Sequence, residues 1–219
     1  DNLKEKFRSL FPESEPVIFS APGRTELSGN HTDHQGGVCL AAAINLETAV
    51  AAAANGEDKI HAFCEGFGEY EISLSDLVPH EDEKNTTSAL IRGVARGVAD
   101  RGAKLSGADM YISSEVLIGS GLSSSAAFEV AIAVALSDLS GASLSPLEIA
   151  EVSGFAEREF FGKPCGLMDQ MACSVGNLVH IDFEDPANPI VDKVDFDFSK
   201  TGYVLAITDT KGSHADLTD

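Results

Sequence analysis

A glycine- and serine-rich turn at residues 119–127, with the sequence GSGLSSSAA, limits the topology of the chain more than any other segment. A run predicted as a strand, at residues 107–115, leads into it, and an alanine-rich run predicted as a helix, at residues 123–139, leads out. Glycines let the backbone approach a ligand closely, and serines cap helices and offer hydroxyl groups. The free N–H groups and positive dipole end of such a helix favour a phosphate. The turn therefore predicts a phosphate-binding loop or an ordinary serine-capped helix. It is not a Walker A loop, because no Gly-Lys-Ser/Thr sequence follows.

The remaining pattern alternates strand and helix signals, which indicates a chain of mixed α and β structure. Short runs bounded by turn residues predict strands at residues 17–20, 38–44, 48–54, 59–63, 69–74, 178–183 and 203–208. Helical spacing predicts helices at residues 86–101 and 146–160, with Pro146 in a favoured first-turn position. The arginines of the first of these helices are predicted to lie on the surface, at Arg92, Arg96 and Arg101.

The charge of the chain excludes several classes of partner. Its 219 residues carry 35 acids against 15 lysines and arginines, a formal net charge of -20 at pH 7. This charge repels nucleic-acid backbones and anionic membrane surfaces, so we expect neither nucleic acid nor membrane as a partner. The apolar runs are also too short to cross a bilayer. An anionic ligand would therefore need local cations, backbone N–H groups or a metal.

The four cysteines form no CxxC pair and lie in apolar or helical contexts, which predicts reduced thiols in a cytoplasmic protein. A hydrophobic fraction of 43% at this length is typical of a globular chain with a sizeable core. Because the sequence starts at Asp1 rather than at a methionine and stops soon after a predicted strand, we expect a fragment of a longer protein.

Residues 23–37, with the sequence GRTELSGNHTDHQGG, are too polar to form a core, and we interpret them as a polar loop. The centre of the segment, His31 to His34, allows four readings from its residues alone: a metal site, a proton relay, a sugar-binding loop or a solvated turn. A metal site would need both histidines and further ligands, and none is spaced to join them.

A third polar segment interrupts a helix at residues 156–176, with the sequence AEREFFGKPCGLMDQMACSVG. The predicted helix carries Glu157, breaks at Gly162-Lys163-Pro164 and restarts near Leu167. Asp169 then falls in the first turn of the new helix, where an acid is common because it favours the helix dipole. The sharper alternative is a general base held by Gly166 and the rigid proline turn.

Taken in order, the segments PGRTELSGNHTDHQGG, GSGLSSSAA and GKPCGLMDQ resemble the galactokinase family of the GHMP small-molecule kinases. The resemblance runs from about Val17 through the C-terminal TDTKGSHADL and covers nearly the whole chain. It implies an ATP-dependent kinase that phosphorylates the anomeric hydroxyl of galactose. It also implies that residues 1–219 form a GHMP N-terminal domain of the ribosomal-protein-S5-like α+β type, with a mixed sheet and packed helices. Within it, residues 17–45 would form the sugar-binding segment, and a largely missing second domain would start near residue 200.

The resemblance also assigns the chemistry of the site. Arg24 matches the family's catalytic arginine, and Asp169 matches the proposed base that takes the proton of the C1 hydroxyl. Ser125 and Glu157 match the positions that hold Mg²⁺, which prefers hard oxygen ligands. The residues that would wrap the phosphates of ATP are Gly119, Gly121, Ser123, Ser124 and Ser125. The implied partners are a small sugar and ATP, and the resemblance does not indicate an oligomeric state.

By the same resemblance, the sugar is bound by Asn30, His31, Asp33 and Gly166. A carboxylate and an imidazole can both bond the vicinal hydroxyls of a sugar. The resemblance therefore implies that the polar segment at residues 23–37 binds the sugar.

The chain departs from the family pattern at several site positions. Glu26 replaces an asparagine, Ser28 an isoleucine, and Asn30 the glutamate that binds the O6 hydroxyl of the sugar. Thr87 and Leu90 stand where aromatic residues often border the adenine. The alternatives to a galactokinase are therefore a GHMP kinase for N-acetylgalactosamine or arabinose, or a sugar- and ATP-binding sensor that acts by partner contact.

Overall fold

Seven strands form one mixed sheet within residues 2–208, the part of the chain that the computed structural model describes. The strands are β1 (Val17–Ser28), β2 (Val38–Ala54), β3 (Lys59–Cys64), β4 (Gly68–Ser73), β5 (Ala108–Ser114), β6 (Leu178–Asp182) and β7 (Ile190–Val194). The helices are α1 (Asn2–Leu10), α2 (Thr87–Asp100), α3 (Ser124–Leu139), α4 (Pro146–Phe155) and α5 (Met168–Val175). The sheet order is β4-β3-β5-β2-β6-β7, with β1 paired to β2 off this path and with β3 and β5 parallel. The predicted α+β class with a mixed sheet and packed helices is confirmed.

The centre of the sheet is a single long strand, β2, although the sequence predicts two strands, at residues 38–44 and 48–54. One edge of β2 pairs with β6 in its first half and with β5 in its second half. The other edge pairs with β1 from Leu40 to Ala52. Pairing on both sides of Asn45 keeps the intervening residues extended, although the side-chain pattern breaks there.

Strand β1 runs to Ser28, well beyond the predicted strand at residues 17–20. Residues 23–28 of the polar segment are therefore strand, and the prediction that the whole segment is a loop is wrong. Register shifts, between Pro22 and Arg24 and between Glu26 and Ser28, bend the strand at this point. Pairing with β2 holds the backbone of β1 extended whatever side chains β1 carries. The polar composition of residues 23–28 therefore indicates a site on the strand and not a loop.

The alternation of β2 separates two apolar faces. Val50 and Ala52 face the large core formed with α2, α3 and α4, while Ala51 and Ala53 face a smaller cluster on the opposite side. Phe7 of α1, which is fully buried, covers that smaller cluster. Helices α2, α3 and α4 therefore lie on one face of the sheet and α1 on the other.

Helix α4 begins and ends with features that the sequence encodes locally. Pro146 occupies the first turn, as predicted, and Ser145 forms a capping box with the third helical residue. The helix then continues as a π-helical turn, Ala156–Phe161, which carries Glu157 and ends at Gly162 with a φ of 88°. A π-helical turn changes the direction in which its side chains project, and such turns are common at functional sites.

One arginine of α2 lies inside the protein and not on its surface as predicted. Arg92 is 7% exposed, and its Nε and Nη2 donate to the two carboxylate oxygens of Glu83 at 2.8 and 2.7 Å. This bidentate pairing allows a guanidinium to be buried, since each charge is neutralised and hydrogen-bonded. The prediction for Arg92 is wrong because spacing on a helix does not reveal an acid supplied by a preceding loop.

The C-terminal part of the chain also differs from the prediction. Residues 203–208 have no regular structure, so the predicted strand there is wrong, while β7 was not predicted. Tyr203 and Val204 are 81% and 90% exposed and pair with no strand among the described residues. Residues 209–219, which include most of TDTKGSHADL, lie outside the described residues, and the second domain near residue 200 stays a prediction. Among residues 2–208, no helix combines the length and apolar character needed to cross a membrane.

Candidate active site

An ion pair between Arg24 and Asp169 lies where β1, the glycine- and serine-rich turn and α5 meet. Arg24 Nε donates to Asp169 Oδ1 at 2.8 Å, and Arg24 Nη1 donates to the carbonyl oxygen of Gly121 at 2.7 Å. The backbone N–H of Arg24 donates to the carbonyl oxygen of Leu122 at 3.1 Å. Arg24 is only 5% exposed, so these bonds hold its guanidinium in one orientation. The fold thus joins two predicted site residues that lie far apart in sequence.

Ser123 connects the turn to the same acid. Its Oγ donates to Asp169 Oδ2 at 2.6 Å. It is the N-cap residue of α3, but its backbone is left-handed (φ 60°, ψ 52°) and its side chain makes no capping bond. The alternative of an ordinary serine-capped helix therefore does not hold for Ser123, because its hydroxyl points at the carboxylate instead of the helix.

Both oxygens of the Asp169 carboxylate are therefore engaged, one by Arg24 and one by Ser123. Burial alone would raise the pKa of this acid. The charge of Arg24 and the hydrogen bonds from Arg24 and Ser123 outweigh burial and hold the pKa of Asp169 below its usual value. Asp169 lies in the first turn of α5, as predicted, and its side chain is about one-third exposed (34%). The site thus presents an ionised carboxylate to solvent at neutral pH.

The turn before α3 requires glycine at two predicted positions. Gly119 and Gly121 have φ values of 69° and 76°, a region that side chains with a Cβ rarely adopt. The turn places Ser124 and Ser125 in the first turn of α3, where both line an open cavity of about 420 Å³. The predicted phosphate-loop residues therefore divide into two groups, since Ser123 faces Asp169 while the next two serines face the cavity.

The cavity beside this turn is mainly apolar. Thr87 and Leu90, noted as departures from the family, line it, and Phe67 and Phe128 add two aromatic side chains that the sequence did not single out. The remaining lining residues come from β3, the β3–β4 turn, β5 and the segment after it: Cys64, Glu65, Ile112, Ser114, Val116, Leu117 and Ile118. An apolar cleft that ends at a helix N-terminus suits a ligand with a flat ring and an anionic tail.

A second polar contact joins Ser125 to the π-helical turn. Ser125 Oγ donates to Glu157 Oε1 at 3.0 Å, and Lys163 Nζ donates to the same oxygen at 3.3 Å. Glu157 is 3% exposed. Burial lowers the pKa of Lys163, but the charge of Glu157, the hydrogen bond to Glu157 and the charge of Asp169 together outweigh burial, so the pKa of Lys163 is raised. The structure therefore brings the predicted Ser125–Glu157 oxygen pair together beside an ammonium group.

Below Glu157 lies a buried polar pair that the sequence analysis missed. Gln170 Nε2 donates to Glu157 Oε2 at 2.7 Å and to Glu129 Oε2 at 3.3 Å. Gln170 and Glu129 are both fully buried. A signal was present in the sequence, because Glu129 follows Ser125 by one helical turn and interrupts a run, Ala126 to Leu136, that is otherwise apolar.

The segment after β1 makes a sharp left-handed turn. Asn30 and His31 have φ values of 52° and 55°, and both are exposed. Glu26 holds the turn, because its carboxylate accepts from the backbone N–H of His31 at 2.9 and 3.1 Å and lies 3.5 Å from His31 Nε2. Glu26, noted in the sequence only as a departure from the family, therefore supports two of the predicted sugar-binding residues.

Asp33 and Gly166, two further predicted sugar-binding residues, are in direct contact. Asp33 is 8% exposed, and its Oδ2 accepts from the backbone N–H of Met168 at 3.2 Å. A Cβ added to Gly166 would lie 1.9 Å from that Oδ2, so glycine is required here. Because Met168 directly precedes Asp169, this contact places the segment after β1 next to the ionised carboxylate.

The metal reading of His31 and His34 has no support from the geometry. His31 lies against Glu26, while His34 Nδ1 lies 3.4 Å from Asp33 Oδ1, so the two imidazoles face different acids. Across residues 2–208, no three or more His, Cys, Asp or Glu side chains are grouped so that they could hold a metal ion. The four cysteines are free thiols.

Two family models match the chain over the segments that build this site. The model for the galactokinase galactose-binding signature matches residues 5–54, and the model for the GHMP kinases N terminal domain matches residues 89–177. The first covers Arg24, Asn30, His31 and Asp33, and the second covers the turn, Glu157 and Asp169.

Individual proteins give the same result. A galactokinase from Streptomyces coelicolor is 34% identical over 96% of this chain and 54% of its own length. A galactokinase from Chloroflexus aurantiacus is 38% identical over 81% of this chain and 45% of its own length. The crystal structure of Lactococcus lactis galactokinase complexed with galactose superposes with a TM-score of 0.80 at 27% identity, covering 96% of this chain and 57% of that one. The chain therefore spans about half the length of the curated relatives it matches.

Proposed function

Because the chain belongs to the galactokinase family of the GHMP kinases, we propose that the full-length protein is an ATP-dependent kinase that phosphorylates the C1 hydroxyl of galactose. One observation carries the proposal. The Asp169 carboxylate, ionised and one-third exposed, lies between the predicted sugar segment and the turn at the start of α3. A transferred phosphoryl group has to pass between a sugar and a nucleotide, and the acid stands at that junction.

Asp169 acts on the sugar in this mechanism. Its carboxylate accepts the proton of the C1 hydroxyl as the oxygen attacks the γ-phosphorus of ATP, and the bond from that phosphorus to the β–γ bridging oxygen breaks to release ADP. Arg24 keeps the acid ionised and presents positive charge where the transferring phosphoryl group becomes more negative. Ser123 fixes the second carboxylate oxygen, so the base has one orientation before substrate binds.

The sugar segment binds and orients galactose beside this base. Asp33 lies against Gly166 and accepts from the backbone N–H of Met168, the residue before Asp169, which supports a sugar held between this segment and the start of α5. The exposed side chains of Asn30 and His31 are free to contact hydroxyl groups. This arrangement presents the C1 hydroxyl to Asp169 rather than to solvent.

The cavity beside α3 is the proposed nucleotide site. Its apolar part, with Phe67 and Phe128, takes the adenine, and the start of α3, with Ser124 and Ser125, takes the phosphates. Local N–H groups, Arg24 and Lys163 supply the positive charge that a chain of net charge -20 lacks elsewhere.

Magnesium fits the pair formed by Ser125 and Glu157. Their two oxygens lie 3.0 Å apart, one a hydroxyl and the other a buried carboxylate, which are hard ligands of the kind Mg²⁺ prefers. A site with one carboxylate suits an ion that completes its shell with water and substrate phosphates. When bound, the ion would neutralise charge on the phosphates of ATP.

A related sugar is the second candidate, and Asn30 is the observation that favours it. The family's glutamate makes a charge-assisted bond to the O6 hydroxyl, whereas an asparagine binds a hydroxyl without charge. Arabinose has no such hydroxyl, and N-acetylgalactosamine differs elsewhere on the ring, so both are candidates for this site.

The proposal is tested by following ADP release from the full-length protein with galactose, arabinose, N-acetylgalactosamine and 1-deoxygalactose. We expect turnover with galactose and competitive inhibition without turnover by 1-deoxygalactose, which has no anomeric hydroxyl. Turnover of 1-deoxygalactose would refute phosphorylation at C1. Absence of ADP release above background with every aldose would refute the kinase and favour a sensor.

A further inference from the structure

We propose that Gln170 and Glu129 form a buried positioning pair that fixes the orientation of the Glu157 carboxylate. The inference rests on the proposed function, since it takes Glu157 as the carboxylate that holds Mg²⁺. Neither residue of the pair reaches the cavity, so both act through Glu157 and not on a substrate.

The amide of Gln170 sets which oxygen of Glu157 faces the ligand. Gln170 Nε2 carries two hydrogens, and its two contacts, Glu157 Oε2 at 2.7 Å and Glu129 Oε2 at 3.3 Å, account for both of them. With Oε2 held inward, Glu157 Oε1 points outward to Ser125 and Lys163. The orientation of a ligating carboxylate therefore depends on a side chain in the helix that carries Asp169.

Two buried oxygens of the pair lack a hydrogen-bond partner among the described residues, and from this we infer its protonation state. These oxygens are Glu129 Oε1 and Gln170 Oε1. They belong to side chains that are already bonded to each other through Oε2 and Nε2. A proton on Glu129 Oε1 lets it donate to Gln170 Oε1, which forms a closed acid–amide ring and satisfies both atoms at once.

The surroundings of Glu129 agree with a neutral acid. Burial, and then the negative charge of Glu157, raise the pKa of Glu129 well above its usual value. Asp169 adds to this effect, while the hydrogen bond from Gln170 and the charge of Lys163 oppose it. A neutral Glu129 can complete the ring without placing a second negative charge beside Glu157.

The location of the pair argues for a role beyond packing. From Ala126 to Leu136, helix α3 is apolar except for Glu129, and a buried polar side chain costs free energy that an apolar one of similar shape would not. A merely structural link between α3 and α5 needs no contact with the π-helical turn. The bond from Gln170 to Glu157, at 2.7 Å, is the shorter of the two that Gln170 donates. We therefore attribute the presence of the pair to its effect on the orientation of the Glu157 carboxylate.

The test compares Glu129→Gln, Glu129→Met and Gln170→Met in the full-length protein, with Ser153→Ala as a matched control. Ser153 is also fully buried and polar, but it bonds only the backbone of its own helix, to Ile149. Calorimetry measures the affinity for ATP with and without Mg²⁺, and thermal unfolding measures stability.

We expect both methionine variants to reduce the gain in ATP affinity produced by Mg²⁺ by about tenfold, the range typical when a residue behind a metal ligand is lost. ATP affinity without Mg²⁺ should not change. Glu129→Gln should behave as the wild type, because an amide reproduces both bonds of the acid–amide ring.

Three results would overturn the inference. If a methionine variant kept the full gain in ATP affinity produced by Mg²⁺, the pair would have no role in orienting Glu157. Equal losses in stability and in the affinity for ATP, both with and without Mg²⁺, would show that the pair contributes only to packing. A Glu129→Gln variant as impaired as Glu129→Met would show that Glu129 is charged. Failure of the proposed function is distinguishable, since the wild type would then show no Mg²⁺ effect on ATP affinity.

Discussion

Replacing Asp169 with asparagine separates the charge of the proposed base from its shape. The amide oxygen can accept from Arg24 Nε at the present 2.8 Å, and the amide nitrogen can donate to Ser123 Oγ, whose hydroxyl rotates to receive it. The hydrogen-bond pattern therefore survives. What is lost is the negative charge beside Arg24 and the ability to accept a proton from the sugar.

The two losses differ in size. Breaking a fully buried ion pair costs about 3–5 kcal/mol, but Asp169 is one-third exposed and Arg24 keeps its bond to Gly121, so we expect about 1–2 kcal/mol of stability to be lost. Loss of a general base typically lowers kcat by about 10²–10⁴-fold, which corresponds to about 3–5 kcal/mol in the activation free energy. The effect on catalysis should therefore exceed the effect on folding.

Three measurements check this prediction in the full-length protein. Steady-state kinetics gives kcat, calorimetry gives the affinities for galactose and ATP, and urea unfolding gives stability. We expect kcat to fall by at least a hundredfold while both affinities stay within a few-fold of the wild type. A kcat within tenfold of the wild type would remove Asp169 from the mechanism. Loss of sugar binding would make it a structural residue.

Two further substitutions test the sugar segment. Gly166→Ala would place a Cβ 1.9 Å from Asp33 Oδ2, so the carboxylate must move by about 1 Å and lose its bond to Met168. We expect KM for the sugar to rise about tenfold or more, as loss of a charged hydrogen bond implies, while KM for ATP stays nearly unchanged. A parallel rise in both constants would contradict this account. Asn30→Glu should raise kcat/KM for galactose relative to arabinose by about tenfold or more, because it restores a charge-assisted bond, although the left-handed backbone at this position costs a glutamate more stability than an asparagine. An unchanged galactose-to-arabinose ratio would show that Asn30 does not face the sugar.

Local signals in the sequence predicted the elements that depend on short-range chemistry. The strand–turn–helix around residues 119–127, the proline at the start of α4 and Asp169 in the first turn of α5 all depend on neighbouring residues, and all three are observed. The boundary of β1 was missed because its polar half is held extended by β2, a partner that no local pattern reveals.

The candidate site shows the same division. Its residues could be singled out by type and by resemblance, but their contacts could not. The serines before α3 indicated a phosphate loop or a helix cap, while the fold turns the hydroxyl of Ser123 toward an acid contributed by α5. Glu129 stands out as an acid in an apolar run, but its link through Gln170 to Glu157 could not be predicted, because it forms only where three elements converge in the fold.

The left-handed backbone of Ser123 has a consequence for attempts to engineer this protein. A residue with a Cβ held in that conformation costs about 1–2 kcal/mol, and glycine would relieve most of this strain. Glycine would also remove the hydroxyl that donates to Asp169. A library selected for heat resistance alone should therefore accumulate glycine at position 123, and the same library selected for turnover should discard it. Sequencing the survivors of both selections would show whether the strained backbone at Ser123 is retained because its hydroxyl orients the Asp169 carboxylate.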